Sequence, residues 1–214
     1  MQDLDVSDRL ISQFTFHTST DDCPDVVSSA LSLITSRQNI SPRRLIDPGP
    51  TEGEVNNMFR AAAAAPDHGE VRPWRFVMVP EGKRVLLANV FGQALIERDV
   101  DATDLQIAAA REKAFRAPFL TLAIARLGPC EPDIDRLERM VSLGAAIQNF
   151  LLCAHSMNFG SSLTSGQAMR AAPLRQLFQI CDGEHAICCI NVGTVAKRKQ
   201  MRLRPTPSSF VSSL

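Results

Sequence analysis

Several motifs that identify common enzyme classes do not occur in this chain of 214 residues. No GxGxxG follows a predicted strand, and no GxxxxGK[ST], HExxH or GxSxG occurs. The dinucleotide-fold, P-loop, zincin and hydrolase interpretations therefore lack their usual support. The four histidines are scattered, and no Ser/His/Asp arrangement predicts nucleophilic catalysis. We assign no catalytic side chain from motifs.

The chain also lacks net charge, paired cysteines and a long apolar segment. Its 23 basic and 23 acidic residues provide no overall field that would recruit nucleic acid or an anionic membrane. The six cysteines show no CxxC and no zinc-ligand spacing, so we predict reduced thiols and no metal site. No apolar segment reaches the ~20 residues that span a bilayer. Because no leader-like segment stands at the N-terminus, we expect a cytoplasmic protein.

The composition that is present suits one globular domain with appended ends. Hydrophobic residues make up 45% of the chain and charged residues 21%, close to the average for such proteins. Residues 1–23 are polar without a clear period, so we predict a partly disordered extension. The domain is predicted to comprise residues 24–214. Its last part, residues 197–214, begins with KRKQMRLRP and is predicted to be a solvated arm, because the rest of the chain offers no basic face.

Hydrophobic periodicity predicts helices and strands along most of the domain. A first helix, from Pro24 to about Ser36, is expected to pack its apolar face on a core. Thr51 and Glu54 form a capping box that begins a second helix. Two nearly continuous apolar runs are typical of strands buried on both faces. The predicted helices lie at 24–36, 51–63, 84–96, within 97–116, at 133–158 and at 173–180. The predicted strands lie at 74–79, 118–126 and 185–195. The segment FGSSLTSG, at 159–166, is predicted to be a connection.

The stretch AAAAAPDHGEVRPWRF, residues 61–76, contains the most suggestive polar cluster. Its alanine run predicts the end of the second helix, and Pro66 and Pro73 stiffen the turn that follows. We therefore expect a rigid loop that presents its side chains. The loop and the strand behind it carry Asp67, His68, Arg72 and the only tryptophan, Trp74.

Three separate segments supply residue types that bind an anion or a planar ligand. They are the basic turn that begins at Arg37, the polar loop 68–72 and the hydroxyl-rich loop 164–165. Guanidinium and backbone donors suit phosphate oxygens, and each charge-assisted hydrogen bond contributes roughly 1.5 to 3 kcal/mol. Structural roles stay open as alternatives: Arg37 at the negative end of a helix, His68 within its own turn, and Trp74 in the core.

The order of these segments resembles the nitroreductase family, and most closely its compact YdjA-like branch. The similarity covers about residues 33–214 and is carried by SRQNISPRRLIDPGPT, RAAAAAPDHGEVRPWRFVMV, SLGAAIQNFLLCAHSMNFGSSLTSG and INVGTV with a PTPSSFV ending. APDHGEVRPWRF is its most specific part. The resemblance implies an α+β fold in which helices surround a central, mostly antiparallel sheet. It also implies a homodimer with the long helix 133–158 at the interface and two FMN molecules bound there.

The resemblance further implies which residues bind the cofactor. The FMN phosphate and ribityl chain are held by Arg37, Gln38 and Asn39. The flavin of the other subunit is reached by His68 and Arg72. The segment beside the flavin comprises Leu163, Thr164 and Ser165. Gln38 and Asn39 replace an arginine and a serine of the family pattern, and Leu163 stands where the branch commonly has tryptophan.

The implied activity is a ping-pong reaction. NADPH or NADH passes hydride to FMN and leaves, and a nitroaromatic, quinone or similar small acceptor takes its place. Because the flavin carries this chemistry, no acid, base or nucleophile constellation is required. Two alternatives stay open: a flavin-binding homodimer with little reductase turnover, serving as a carrier or non-catalytic subunit, and an enzyme that breaks the flavin down oxidatively.

Overall fold

A five-stranded sheet organises the fold. The computed structural model of the protein describes residues 23–129, 132–198, 200 and 203–214. The strands are β1 (Leu45–Ile46), β2 (Trp74–Met78), β3 (Phe119–Arg126), β4 (Gly160–Thr164) and β5 (Glu184–Val195). All of their pairings are antiparallel: β5 pairs with β1, β3 and β4, and β2 pairs with β3. Because β3 and β4 pair with the same residues of β5, they lie on its two opposite edges.

Six α-helices accompany the sheet in the described part of the chain. They are α1 (Cys23–Ser36), α2 (Glu52–Ala63), α3 (Arg84–Arg98), α4 (Asp104–Glu112), α5 (Arg136–Ser156) and α6 (Ala172–Leu177). The chain divides into two units between Ser36 and Arg37, so α1 belongs to the first unit and every other element to the second. The extension predicted for residues 1–23 lies outside the described residues except for Cys23, which begins α1.

The apolar face of α1 was predicted to pack on a core. Val26, Val27, Leu31 and Ile34 fall on one side of the helix, as their spacing indicates, but all four side chains are exposed. Among the described residues of its own unit these side chains contact no core, and the predicted packing stays a prediction. Periodicity identifies an amphipathic helix, but it does not identify what covers the apolar face.

Apolar clusters cover both faces of the sheet, as the two apolar runs predicted. On one face, α2 and α5 contribute fully buried side chains such as Met58 and Phe150. On the other face, α3 and α6 contribute Leu87 and Leu174, which are also fully buried. Each such side chain contributes roughly 1.5 to 3 kcal/mol through burial. Trp74 is half-buried and packs against the first cluster, in agreement with its interpretation as a core residue.

Arg84, a buried cation at the start of α3, joins three chain segments. Its guanidinium donates to the carbonyl oxygens of Val79 at 2.7 Å, Ala114 at 2.8 Å and Pro118 at 3.0 Å. Burial lowers the pKa of Arg84. These three hydrogen bonds hold the ends of β2, the segment after α4 and the start of β3 against one another.

Glu184, a buried carboxylate at the start of β5, ties together three further segments. It accepts hydrogen bonds from Arg75 Nη2 at 2.7 Å and Nε at 2.8 Å, from the Cys181 backbone N–H at 3.1 Å, and from Arg126 Nε at 3.3 Å. The hydrogen bonds from Arg75 are the largest cause that lowers the pKa of Glu184 to about 2. The cluster fixes β2, β3 and β5 at the same end of the sheet.

The predicted fold class is confirmed, and so is the capping box of α2. Thr51 Oγ1 accepts from the Glu54 backbone N–H at 3.3 Å, and the Glu54 carboxylate accepts from the Thr51 backbone N–H at 2.7 Å. One prediction within the sheet is wrong: FGSSLTSG is not a connection, because Gly160–Thr164 forms β4. Glycine and serine have low strand propensity, but pairing along the open edge of β5 overrides it.

Candidate functional site

The site begins where the chain from Arg37 to Ile40 runs beside β4. Asn39 forms a parallel bridge with Ser161, and the Ile40 backbone N–H donates to the Ser161 carbonyl oxygen at 3.0 Å. The structure thereby places the predicted segment 37–39 beside β4, the strand that ends at Thr164 of the predicted segment 163–165. This contact is the only parallel pairing in the described part of an otherwise antiparallel sheet.

Gly160, the first residue of β4, permits this close approach. A Cβ at Gly160 would lie 2.6 Å from Val195 Cγ2, 2.8 Å from Leu45 Cδ2 and 3.2 Å from Ile40 Cγ1. Contacts this short do not occur between real side chains without movement of the neighbours. The glycine is therefore required because Ile40 and Leu45 must pack directly on the backbone of β4.

Several polar atoms in this region are buried without a partner. They are the Nε of Arg37, the Oε1 of Gln38 and the Oγ atoms of Ser161 and Ser162, none of which has a hydrogen-bond partner among the described residues. A buried polar group without a partner costs about 1 to 3 kcal/mol. The atoms of Arg37 and Gln38 belong to the segment beside β4, whereas Ser161 and Ser162 are consecutive in β4 and point to opposite faces of the sheet. The unpartnered atoms of Arg37 and Gln38 indicate that a polar ligand completes their hydrogen bonding.

The C-terminal arm adds positive charge to this region. Arg204 Nη2 donates to the Arg37 carbonyl oxygen at 2.9 Å. Burial lowers the pKa of Arg37, and the nearby charge of Arg204 lowers it further. Burial also lowers the pKa of His155 at the end of α5, with smaller contributions from Arg198 and Arg37. Arg37 and Arg204 therefore lie close together, and an anion bound between them would relieve their repulsion.

Arg204 was missed as a site residue in the sequence. The described residues of the arm from 203 to 214 are exposed, as the prediction of a solvated arm requires. However, Arg204 also contacts the segment that begins at Arg37. The basic composition of KRKQMRLRP was the available signal, but contact between residues 167 positions apart is not visible in a single sequence.

A cavity of about 560 Å³ opens at the end of β4. Thr164 and Ser165 line it, together with apolar side chains that include Phe91 and Met169. Asn191 is buried in its wall, and the Asn191 Nδ2 donates to Thr164 Oγ1 at 3.0 Å. The volume lies within the range of small-molecule sites, roughly 300 to 1,000 Å³.

Charged side chains also line this cavity. They comprise the cations Arg43, Arg98, Lys113 and Arg116 and the carboxylate Asp99. Arg116 pairs with Glu112 at 2.6 Å, which offsets part of the positive charge. Arg43 lies four residues beyond Asn39 in the sequence. The path along β4 therefore connects the arginine region around Arg37 with a predominantly cationic cavity.

Leu163 does not line this cavity. It pairs with Ile190 in β5, on the face of the sheet that carries the cluster of α2 and α5, and it is exposed. Its neighbours Thr164 and Ser165 do line the cavity. Among the three residues predicted in this loop, the structure places two at the cavity and one beside the sheet face.

The predicted loop at His68 and Arg72 lies apart from the cavity. Asp67 Oδ2 accepts from the Arg72 backbone N–H at 2.8 Å, and His68 Nδ1 lies 2.5 Å from Glu138 Oε1 on α5. Gly69 has a φ of 70°, and a Cβ there would lie 2.7 Å from Ile134 Cδ1, so the turn requires glycine. The His68 and Arg72 side chains are exposed, and neither lines the cavity.

Cys188 and Cys189 are buried in β5. Burial raises the pKa of Cys188 to about 11 and that of Cys189 to about 12, so both thiols stay protonated at neutral pH. No group of three or more histidine, cysteine, aspartate or glutamate residues in the described ranges is arranged to hold a metal ion. In these ranges, no helix combines the length and apolar character needed to cross a membrane.

Comparisons with known proteins identify the fold independently. The model of the Nitroreductase family matches residues 37–194. "Putative NAD(P)H nitroreductase YdjA" of Escherichia coli (strain K12) is 29% identical over 186 residues, which cover 86% of this chain and 98% of that protein. The nitroreductase-like family protein from Bacillus cereus superposes with a TM-score of 0.73 at 17% identity, covering 94% of this chain and 98% of that one. NfnB from Mycobacterium smegmatis, an FMN-dependent nitroreductase solved in complex with NADPH, gives a TM-score of 0.69 at 16% identity, with 89% and 100% covered.

Proposed function

The chain belongs to the nitroreductase family, and on this premise we propose that it is an FMN-dependent oxidoreductase. Its reaction would transfer hydride from NADPH or NADH to a nitroaromatic, a quinone or a similar small acceptor. The observations that carry the proposal are the unpartnered buried polar atoms of Arg37 and Gln38, in the segment that runs beside β4, and a cavity of about 560 Å³ at the Thr164 end of the same strand. FMN contains both a phosphate and a planar ring, and these two regions suit the two parts.

The residues around Arg37 would hold the phosphate end. Arg37 and Arg204 lie together without a carboxylate partner among the described residues, and the phosphate would supply the missing negative charge. Gln38 replaces a family arginine, and its unpartnered Oε1 suits a ribityl hydroxyl better than a phosphate oxygen. Arg204 would then supply the second guanidinium, which is charge-assisted and roughly twice as strong a donor as a neutral group.

The cavity would hold the ring. Bound FMN would supply the hydride transfer, and the protein would supply orientation and electrostatics. Thr164 and Ser165 line the cavity beside the proposed ring position, while Phe91 and Met169 exclude water from its apolar side. Lys113 and Arg43 place positive charge in the same cavity, which favours negative charge on a bound ring. Donor and acceptor would use the same opening in turn, consistent with a ping-pong cycle.

We also propose that the active form is a homodimer. α5 is 21 residues long, and its outward face exposes Leu137 (76%) and Val141 (71%). Gly144 on the same face has nothing within 4 Å of a Cβ position. An apolar stripe with a small residue suits close packing against a second helix. In such a dimer, His68 and Arg72 of one subunit would reach the flavin of the other.

The proposal is tested by the visible spectrum of the purified protein. We expect flavin absorbance as purified or after FMN titration, and rapid anaerobic bleaching with NADPH or NADH. A protein that takes up no FMN would contradict the proposal. FMN binding without bleaching would instead favour the flavin-binding dimer with little turnover, and loss of flavin during aerobic incubation with reduced FMN would favour oxidative breakdown.

The dimer is tested separately by sedimentation or size-exclusion chromatography with light scattering. Val141→Arg places a charge on the outward face of α5 and is expected to yield monomers that bind FMN weakly. Leu105→Arg, at a residue of α4 that is 81% exposed, is the matched control and is expected to stay dimeric. A wild-type monomer, or equal behaviour of the two variants, would refute the proposed interface.

A further inference from the structure

A second cleft lies next to the proposed flavin cavity. It has a volume of about 760 Å³, and its apolar wall includes Met140 and Ile187. Residues 165–167 line both this cleft and the cavity of about 560 Å³. The middle residue of this shared segment is Gly166, which has no side chain. Nothing lies within 4 Å of the position that its Cβ would take, so the space around it is open.

The ionisable side chains that line this cleft, among the described residues, are basic. Three arginines and one histidine line it, and no described aspartate or glutamate does: Arg136, Arg170, Arg175 and His185. Arg175 is already engaged, because Arg175 Nη2 donates to the carbonyl oxygens of Ile180 at 3.1 Å and Cys181 at 3.3 Å. It also lies 3.7 Å from the carboxylate of Asp182.

Arg136 and Arg170 are the cations that remain available in the cleft. Both are exposed, and neither makes a side-chain hydrogen bond or ion pair in the described part of the chain. They come from different elements, Arg136 from the first residue of α5 and Arg170 from the turn Gln167–Arg170. A ligand that contacted both would need anionic oxygens, because guanidinium groups match phosphate and carboxylate geometry.

We propose that Arg136 and Arg170 bind phosphate groups of the reduced nicotinamide donor. The inference rests on the proposed function, since it extends the flavin cavity to the part of the donor that does not react. A nicotinamide ring in the flavin cavity would leave the adenosine and phosphate part of the donor to cross Gly166 into the cleft. Neutral nitroaromatic or quinone acceptors carry no group that needs these two arginines.

The test compares three hydride donors on the FMN-loaded protein. NADPH and NADH carry phosphates, whereas 1-benzyl-1,4-dihydronicotinamide carries none. The double variant Arg136→Gln, Arg170→Gln is expected to raise the half-saturating concentration of NADPH in anaerobic flavin reduction by tenfold or more. The limiting rate, and all kinetics with the benzyl donor, are expected to match the wild type. The double variant Arg60→Gln, Lys83→Gln removes two exposed cations that line neither space and is expected to change nothing.

The pattern across donors separates the possible outcomes. A loss confined to NADPH assigns the arginines to the 2′-phosphate, and an equal loss with NADH assigns them to the pyrophosphate. If no donor is affected, or if all three are affected equally, the inference is wrong. Calorimetric titration with NADP⁺ tests the same site without turnover: weaker binding in the double variant supports the inference even if the wild type reduces no flavin, a result that would contradict only the proposed function.

Discussion

Replacing Arg37 with methionine tests the phosphate end of the proposed FMN site. Methionine keeps a long apolar stem and removes only the guanidinium. In the wild type, this guanidinium has a buried Nε without a partner among the described residues. Its pKa is lowered by burial and, to a smaller extent, by Arg204. Burying this guanidinium costs free energy in the flavin-free protein, and a bound anion would recover that cost.

The structure predicts effects of opposite sign on binding and stability. One lost charge-assisted hydrogen bond removes roughly 1.5 to 3 kcal/mol, which corresponds to FMN binding about 10-fold to 150-fold weaker. In the flavin-free protein the same change relieves burial of a charge and its repulsion by Arg204. Because replacing a buried charge with an apolar group is often neutral or stabilising, the free energy of unfolding is expected to stay level or rise by roughly 1 kcal/mol.

Two measurements on the same preparation test the expected loss of FMN affinity and the expected absence of a loss in stability. Quenching of FMN fluorescence on titration with flavin-free protein gives the affinity, and urea unfolding gives the stability. Arg60→Met, at an exposed arginine of α2, is the matched control and should change neither. Wild-type FMN affinity in Arg37→Met would refute the phosphate site. Weaker binding together with a clear loss of stability would show instead that Arg37 acts through the fold.

Three further predictions concern stability. Arg84→Met leaves three buried carbonyl oxygens without their donor, so we expect a loss of roughly 3 kcal/mol or more and a drop in melting temperature on the order of 10 °C. Gly160→Ala places a Cβ 2.6 Å from Val195 Cγ2 and 2.8 Å from Leu45 Cδ2, so both side chains must move. Overpacking of this kind costs about 1 to 3 kcal/mol, and we expect weaker FMN binding to accompany it, because the segment 37–40 packs on the same strand. Glu184 has a pKa lowered to about 2, so its stabilising effect is present above its ordinary pKa of about 4.5 and is lost as pH falls towards 2. Glu184→Gln should therefore lower the free energy of unfolding at neutral pH by up to about 3 kcal/mol. It should also make that free energy fall less steeply as the pH is lowered.

Each of these predictions has a matched control or an opposing result. Lys83→Met, at the exposed residue before Arg84, should leave the melting temperature unchanged, and equal losses in both variants would contradict the role of Arg84. Gly53→Ala, where nothing lies within 4 Å of a Cβ, controls for the general effect of alanine at a glycine position. Glu112→Gln removes an ion pair whose carboxylate is exposed, and it should affect stability much less than Glu184→Gln. If the free energy of unfolding of Glu184→Gln falls as steeply in acid as that of the wild type, the loss of stability in acid is caused by other carboxylates.

Sequence patterns were sufficient where local chemistry determines the structure. The capping box at Thr51 and the apolar runs of β3 and β5 were visible because their signals depend on neighbouring residues. β4 was not visible, since glycine and serine become a strand there only through pairing with β5. The exposure of the α1 face was also not visible, because an amphipathic pattern does not reveal which surface covers it.

The candidate site shows the same division. Arg37 and Thr164 were identified from residue type and from family resemblance, and the structure places their segments side by side along β4. Arg204 was missed because its contact with Arg37 joins distant parts of the chain. The apolar wall of the cavity was missed for a different reason: a residue such as Phe91 has the same helical periodicity whether it faces a core or a cavity.

The bridge between Asn39 and Ser161 also has a consequence for solubility. β4 lies at an edge of the sheet, and an edge strand is a template on which another chain can add. Within the described residues, residues 39–40 are the chain segment that pairs with its outer side. A ligand that fixes Arg37 to Asn39 would keep this edge covered. Residues 39–40 therefore act as a guard for this edge, because they occupy hydrogen-bonding positions beside Ser161 that a strand of another chain would otherwise use.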